Sequence, residues 1–169
     1  DRWIISRLNE VSAEAREHYE NLRLNDAAQC IFQFLWDEYC SWYIELAKDR
    51  LKPETEQGSR LTAKYVLLDV MQAAMRLLHP IMPFISEEIW QSIKEVFPME
   101  DEALIIASFP ISDPSLINPG IADEMAIAQE SITAIRNLRK QINLSPGTMV
   151  KIVVRTAEAA QTGLFREYS

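Results

Sequence analysis

The stretch NDAAQCIFQFLWDEYCSWYIELAKDRL, residues 25–51, decides how the fold is read. Asn25-Asp26 is an N-cap signal, and Pro53 closes the run just past Leu51. Between them Ala28, Ile31, Leu35, Tyr39, Trp42 and Leu46 recur at spacings of three and four, and Phe32, Trp36, Tyr43 and Ala47 form a neighbouring stripe. Two adjoining apolar stripes cover much of a helix's circumference. This predicts a helix enclosed by other helices, the central one of its domain.

The flanking sequence supplies those neighbours. From Arg2 to about Leu22, the residues Ile4, Leu8, Val11, Ala15, His18 and Leu22 make one helical stripe, with Arg7, Glu10, Glu14, Arg16 and Glu17 on the other faces. After a polar turn at Pro53–Ser59, a third helix runs from Arg60 to His79. Leu61, Tyr65, Leu68, Met75 and Leu78 give its face, widened by Leu67, Val70, Ala74 and Leu77. Pro80 stops it, and Pro83 suits the first turn of a fourth helix with Phe84, Ile85, Ile89, Ile93 and Phe97 toward the core.

Pro98 to Gly120 reads as a long irregular connection with a short extended piece at Leu104–Ala107. A fifth helix spans about Ile121 to Ile142, its core face formed by Met125, Ala128, Ile132, Ile135, Leu138 and Ile142. Met149–Arg155 is rich in β-branched residues and reads as a strand, and Thr156 to Tyr168 as a further helix. The fold class is therefore all-α. An up-and-down bundle of about five helices occupies residues 1–147, and 148–169 are the truncated start of an α/β segment.

Composition agrees with a packed domain: of 169 residues, 48% are hydrophobic and 25% charged, with 4 Gly and 8 Pro, which excludes disordered and collagen-like chains. No apolar run is long enough to span a bilayer. The first residue is Asp1 rather than Met, so the chain reads as a piece of something longer. A net charge of -8 argues against general coating of nucleic acid but leaves room for a local basic patch. Cys30 and Cys40 sit on one predicted helix, about 15 Å apart along its axis, too far for a disulfide; they read as buried thiols.

No catalytic constellation is visible. His18 and His79 are far apart in apolar helical contexts, and neither has a Cys or second His at metal-ligand spacing. The adjacent pairs Asp37-Glu38 and Glu87-Glu88 point about 100° apart on a helix and read as solvated faces. Met71, Met75, Met82, Phe32, Trp36, Trp42 and Tyr43 read as core packing. The strongest basic feature is Arg136, Arg139 and Lys140, whose i, i+3, i+4 spacing places three cations on one face. That face is either a solvated helix end or a set of phosphate contacts. Arg2-Trp3 is a second candidate: the indole either stacks on an unpaired base or packs against a neighbouring domain.

Four segments in order carry a family resemblance: DRWIISRLN (1–9), WDEYCSWYIE (36–45), LLHPIMPFISEEIW (77–90) and IRNLR (135–139). Together they resemble the anticodon-binding helical domain of the valyl-tRNA synthetases, a class I aminoacyl-tRNA synthetase family, over roughly residues 1–147. The third segment is shared with isoleucyl, leucyl and methionyl enzymes, and the second favours the valyl family. The resemblance implies a cytoplasmic module that holds the anticodon arm of tRNA(Val), with the catalytic domain of the same polypeptide as its other partner. It implies no metal or cofactor in this stretch. ATP and Mg belong to the catalytic domain, so the stretch by itself neither aminoacylates nor edits. Arg136, Arg139 and Lys140 are then the phosphate contacts, with Trp3 as stacking platform and Arg2 or Arg7 beside it. The competing expectation is a structural helical scaffold that docks protein domains without reading RNA.

Overall fold

The computed structural model describes residues 1–145 and 148–151. The described residues form helices joined by turns and irregular connections, with no strand among them. Contacts divide the chain into two units, Asp1–Asn118 and Pro119–Ser169. Pro146 and Gly147, where the sequence predicted a domain boundary, are outside the described residues. Of the predicted strand, Met149–Lys151 are described and carry no strand pairing; residues 152–155 and the predicted helix at 156–168 are not among the described residues.

The first unit holds α1 (Arg2–Glu20), α2 (Leu24–Gln33), a π-helical segment (Phe34–Tyr43), α3 (Ile44–Ala47), α4 (Gln57–Leu78) and α5 (Pro83–Lys94). Short connections turn α1 back on α2 and α4 back on α5, and α1 also packs on α4. The second unit holds α6 (Pro119–Gln141).

Residues 25–51 lie in one continuous helical rod, but not one uniform α-helix. Its buried residues are Ala27, Ile31, Phe34, Tyr39, Tyr43 and Ala47. The step from Phe34 to Tyr39 is five residues, one more than an α-helix allows on a single face. The i→i+5 bonding of the π segment absorbs that extra residue. The predicted stripe through Ala28, Leu35, Trp42 and Leu46 is therefore replaced by its neighbours, and Phe32 and Trp36 are exposed instead of packed. The rod also begins at Leu24, so Asn25 and Asp26 lie in its first turn rather than capping it.

Similar rotations occur elsewhere. Helix α4 buries Ala63, Val66, Val70, Ala74, Met75 and Leu77 while Leu61 and Tyr65 are exposed, so the core face keeps Met75 of the predicted stripe but runs mainly along its flank. Helix α5 buries Ser86, Trp90 and Ile93, whereas Phe84, predicted inward, is 92% exposed. The reason is polar: the Ser86 hydroxyl donates to the Met82 carbonyl at 2.8 Å and also lies 2.8 Å from His79 Nδ1, which fixes that face inward. Leu22, predicted as the last core residue of the first helix, is 84% exposed with φ +56°. It occupies the left-handed position of a helix-ending turn, where Arg23 N–H donates to His18 O at 2.8 Å and Leu22 N–H to Tyr19 O at 3.1 Å.

The long connection is a strap along the polar side of α1. Asn9 Oδ1 accepts from Asp113 N–H at 2.7 Å, and Ser6 Oγ accepts from Asn118 N–H at 2.8 Å. Arg16 donates to Pro110 O at 3.2 Å and lies over the Phe109 ring. These contacts explain why Ser6 and Asn9 are buried although polar. Leu104–Ile106, within the piece predicted as extended, form a 3-10 turn that buries Leu104.

Candidate nucleic-acid interface

Helix α6 is built with a charge gradient. Asp123, Glu124 and Glu130 lie in its first half, and Arg136, Arg139 and Lys140 in its last two turns. Arg139 and Lys140, in the last turn, suit the negative end of the helix dipole. The helix ends at Asn143, φ +52°, with Asn143 N–H donating to Lys140 O at 3.1 Å and Leu144 N–H to Arg139 O at 2.9 Å. This is a left-handed cap at a residue that tolerates the conformation. Arg136 and Lys140 are exposed. Arg139 is half-buried, and its Nη2 donates to Ser145 O at 2.8 Å and Thr148 O at 3.0 Å. Its guanidinium thus braces the turn after the helix. Lys151 adds an exposed cation to the same unit. Within α6, Leu138 and Ile142, predicted on the core face, are exposed.

Arg2, Trp3 and Arg7 lie in the other unit, at the start of α1. Arg2 is exposed. Trp3 is 6% exposed, a core residue. A base cannot stack on a ring whose faces are covered; the indole packs inside its own unit, rather than on a base or against a neighbouring domain. Arg7 donates to Glu38 through Nε at 2.7 Å and Nη2 at 2.9 Å, and its Nη1 pairs with Glu10. The hydrogen bonding to the Glu38 carboxylate, helped by the negative charges of Glu38 and Glu10, pushes the Arg7 pKa up and keeps it firmly charged. Glu38 was read as part of a solvated acidic pair. It is a structural anchor between α1 and the π segment.

Asp1 plays a similar part. Its carboxylate accepts from Tyr43 Oη at 2.6 Å and from Arg50 Nη1 at 2.7 Å, while Arg50 also reaches Ser59. Much of the first and second motif segments therefore holds helices together. Glu87, also read as solvated, accepts from the backbone N–H of Leu104 at 2.9 Å. A stacked aromatic pair that solvent reaches lies elsewhere. Phe32 and Trp36 lie parallel, 6.2 Å between centroids and 9° between planes, each 61% exposed. Sequence reasoning missed them because their α-helical spacing placed them beside the core stripe. The only warning in the sequence was the crowding of aromatic residues around a stripe too wide for one face.

A helical bundle followed by a helix with a basic, exposed end is a form suited to gripping a polyanion. The family described as the anticodon-binding domain of tRNA ligase matches residues 1–154, and the chain belongs to that family. Its relatives point to one amino acid. The chain is 38% identical to the valine–tRNA ligase of Fusobacterium nucleatum over 163 residues, which is 95% of this chain and 18% of that protein. It is 40% identical to the valine–tRNA ligase of Geobacter sulfurreducens over 166 residues, 98% of this chain and 18% of that protein. With the valine–tRNA ligase of Synechocystis it shares 38% over 160 residues, 92% of this chain and 17% of the relative. The chain thus spans less than a fifth of the length of these curated relatives. Among the described residues no helix is long and apolar enough to cross a membrane.

Proposed function

We propose that this chain is the anticodon-arm-binding part of a valine–tRNA ligase, and that its ligand is tRNA(Val). In this reading the module grips the anticodon arm so that the acceptor end reaches the catalytic domain of the same polypeptide in the cytoplasm. That domain, with ATP and Mg, joins valine to the tRNA. The observation that carries the reading is the charge reversal along α6, which concentrates three cations at one helix end in a chain of net charge -8. Arg136 and Lys140 contact backbone phosphates, and Arg139 holds the following turn in place while adding its charge. Such contacts position the RNA and raise affinity without reading sequence. Anticodon bases are unpaired, so they are open to stacking and edge hydrogen bonds. Arg2 is retained as a further exposed cation. The stacking role passes from buried Trp3 to the exposed Phe32–Trp36 pair.

The test is a titration with an anticodon stem-loop of tRNA(Val) and the same stem bearing an isoleucine anticodon, each at two salt concentrations. Preference for the valine loop supports anticodon identity within this chain. Equal, salt-sensitive binding supports a positioning role alone. No binding to either defeats the assignment.

A further inference from the structure

The first and second helices bring together three side chains that the sequence keeps apart. Glu14 and His18 are one turn apart on α1, and Cys30 faces them from α2. One ligand atom from each lies within 4.8 Å of the other two. His18 Nε2 is 3.5 Å from Glu14 Oε1, and the buried Nδ1 of the same ring has no hydrogen-bond partner. Cys30 is a free thiol whose Sγ–H donates only weakly, to Ala27 O at 3.3 Å. We infer that Glu14, His18 and Cys30 form a binding site for a borderline-soft divalent cation, Zn²⁺ foremost, that staples the α1–α2 hairpin.

The chemistry of the set argues for this cation. A thiolate, an imidazole and a carboxylate are the three ligand types zinc takes, and three protein ligands leave its fourth tetrahedral position to water. Zinc–ligand bonds of about 2.0–2.3 Å place neighbouring ligand atoms roughly 3.3–3.6 Å apart. The His18–Glu14 separation already meets that spacing. The separations involving Cys30 are at most 4.8 Å, so the remaining closure is at most about 1.5 Å, shared between the exposed Glu14 side chain and a small rotation of the Cys30 side chain. The staple also has a mechanical reason. It spans the turn in which Leu22 adopts a left-handed conformation that β-carbon-bearing residues disfavour. The site is distinct from the basic end of α6 and needs no RNA.

The reduced, chelator-stripped 169-residue chain is titrated with Zn²⁺ in competition with a chromophoric chelator, and in parallel with Co²⁺. One equivalent of Zn²⁺ is expected to bind, with a rise in Tm, and Co²⁺ is expected to show a thiolate charge-transfer band. Cys30→Ser and His18→Gln should weaken Zn²⁺ binding at least tenfold, since even groups behind a ligand are worth about 10–100-fold. Cys40→Ser should bind like the parent and keep the band. Glu14→Gln alters an exposed side chain, so it keeps the fold and should also weaken binding. It decides the matter if either of the two half-buried variants, Cys30→Ser or His18→Gln, loses helicity by circular dichroism. Absence of stoichiometric binding, absence of the band, or unchanged affinity in Cys30→Ser or Glu14→Gln would overturn the site.

Discussion

Removing Arg7 should cost stability and leave RNA affinity nearly untouched. Arg7 and Glu38 form a two-bond ion pair with side-chain exposures of only 27% and 20%, and Glu10 joins from the next turn. Two unit charges at this range attract by roughly 4 kcal/mol at an effective dielectric of 20. Desolvation offsets part of that, so the net coupling should be about 2 kcal/mol, between an exposed pair at about 0.5 and a fully buried one at about 3–5. Arg7→Gln leaves two carboxylates without their shared cation, whereas Glu38→Gln leaves Arg7 with Glu10. The first should therefore be the more harmful substitution. A double-mutant cycle in urea, followed by tryptophan fluorescence, measures the coupling. At a slope of about 2 kcal/mol/M, a loss of 2 kcal/mol lowers the midpoint by roughly 1 M. A coupling below about 0.5 kcal/mol would refute the structural role and return Arg7 to the pool of cations available to RNA.

Other expectations follow from single residues. Leu22→Gly should stabilise the chain by about 1 kcal/mol and raise Tm by roughly 2–4 °C, because it relieves a left-handed leucine with little packing to lose; a fall in Tm would count against it. Trp3→Ala should destabilise by about 3–5 kcal/mol as a buried-aromatic deletion. Trp36→Ala should change stability by less than about 0.5 kcal/mol yet weaken stem-loop binding by about 1–3 kcal/mol if it stacks on a base. Equal binding by the Trp36 variant and the parent would remove that residue from the interface. Burial pushes the Tyr19 and Tyr43 hydroxyls up to about 12 from an ordinary 10.0. The native state thus favours their neutral forms. That stabilisation is complete below pH 10.0 and fades as pH rises toward 12, so Tm should fall across that window while tyrosinate absorbance lags. A flat Tm there would contradict the burial of these rings.

The helices were legible because their apolar residues repeat, and because Pro53, Pro80 and Pro83 punctuate them. Which face points inward was less legible, for local reasons. The extra residue between Phe34 and Tyr39 rotates the rest of its rod, and no periodicity scan on a strict α-helical period contains that step. In α5, a serine that bonds its own backbone and His79 outranks Phe84 for the interior. The strap from Pro98 to Asn118 depends on Ser6, Asn9 and Arg16, whose partners lie about a hundred positions away in sequence. The candidate interface divides along the same line. Arg136, Arg139 and Lys140 were visible as a spacing on one helix, and two of the three are exposed. Arg7 and Trp3 drew notice for their chemistry, but Glu38 and the core claim them, through contacts that a linear reading does not contain.

The basic end of α6 is the centre of the account, and the salt dependence of stem-loop binding tests it most directly. Affinity for the valine stem-loop is measured from low to moderate salt for the parent chain, Arg136→Ala and Lys140→Ala. The two phosphate contacts from Arg136 and Lys140 predict a log–log slope of about -1.5 to -2, and each substitution should flatten it by about 1 while weakening binding to all stem-loops alike. Slopes and affinities unchanged by both substitutions would place the RNA elsewhere on the molecule.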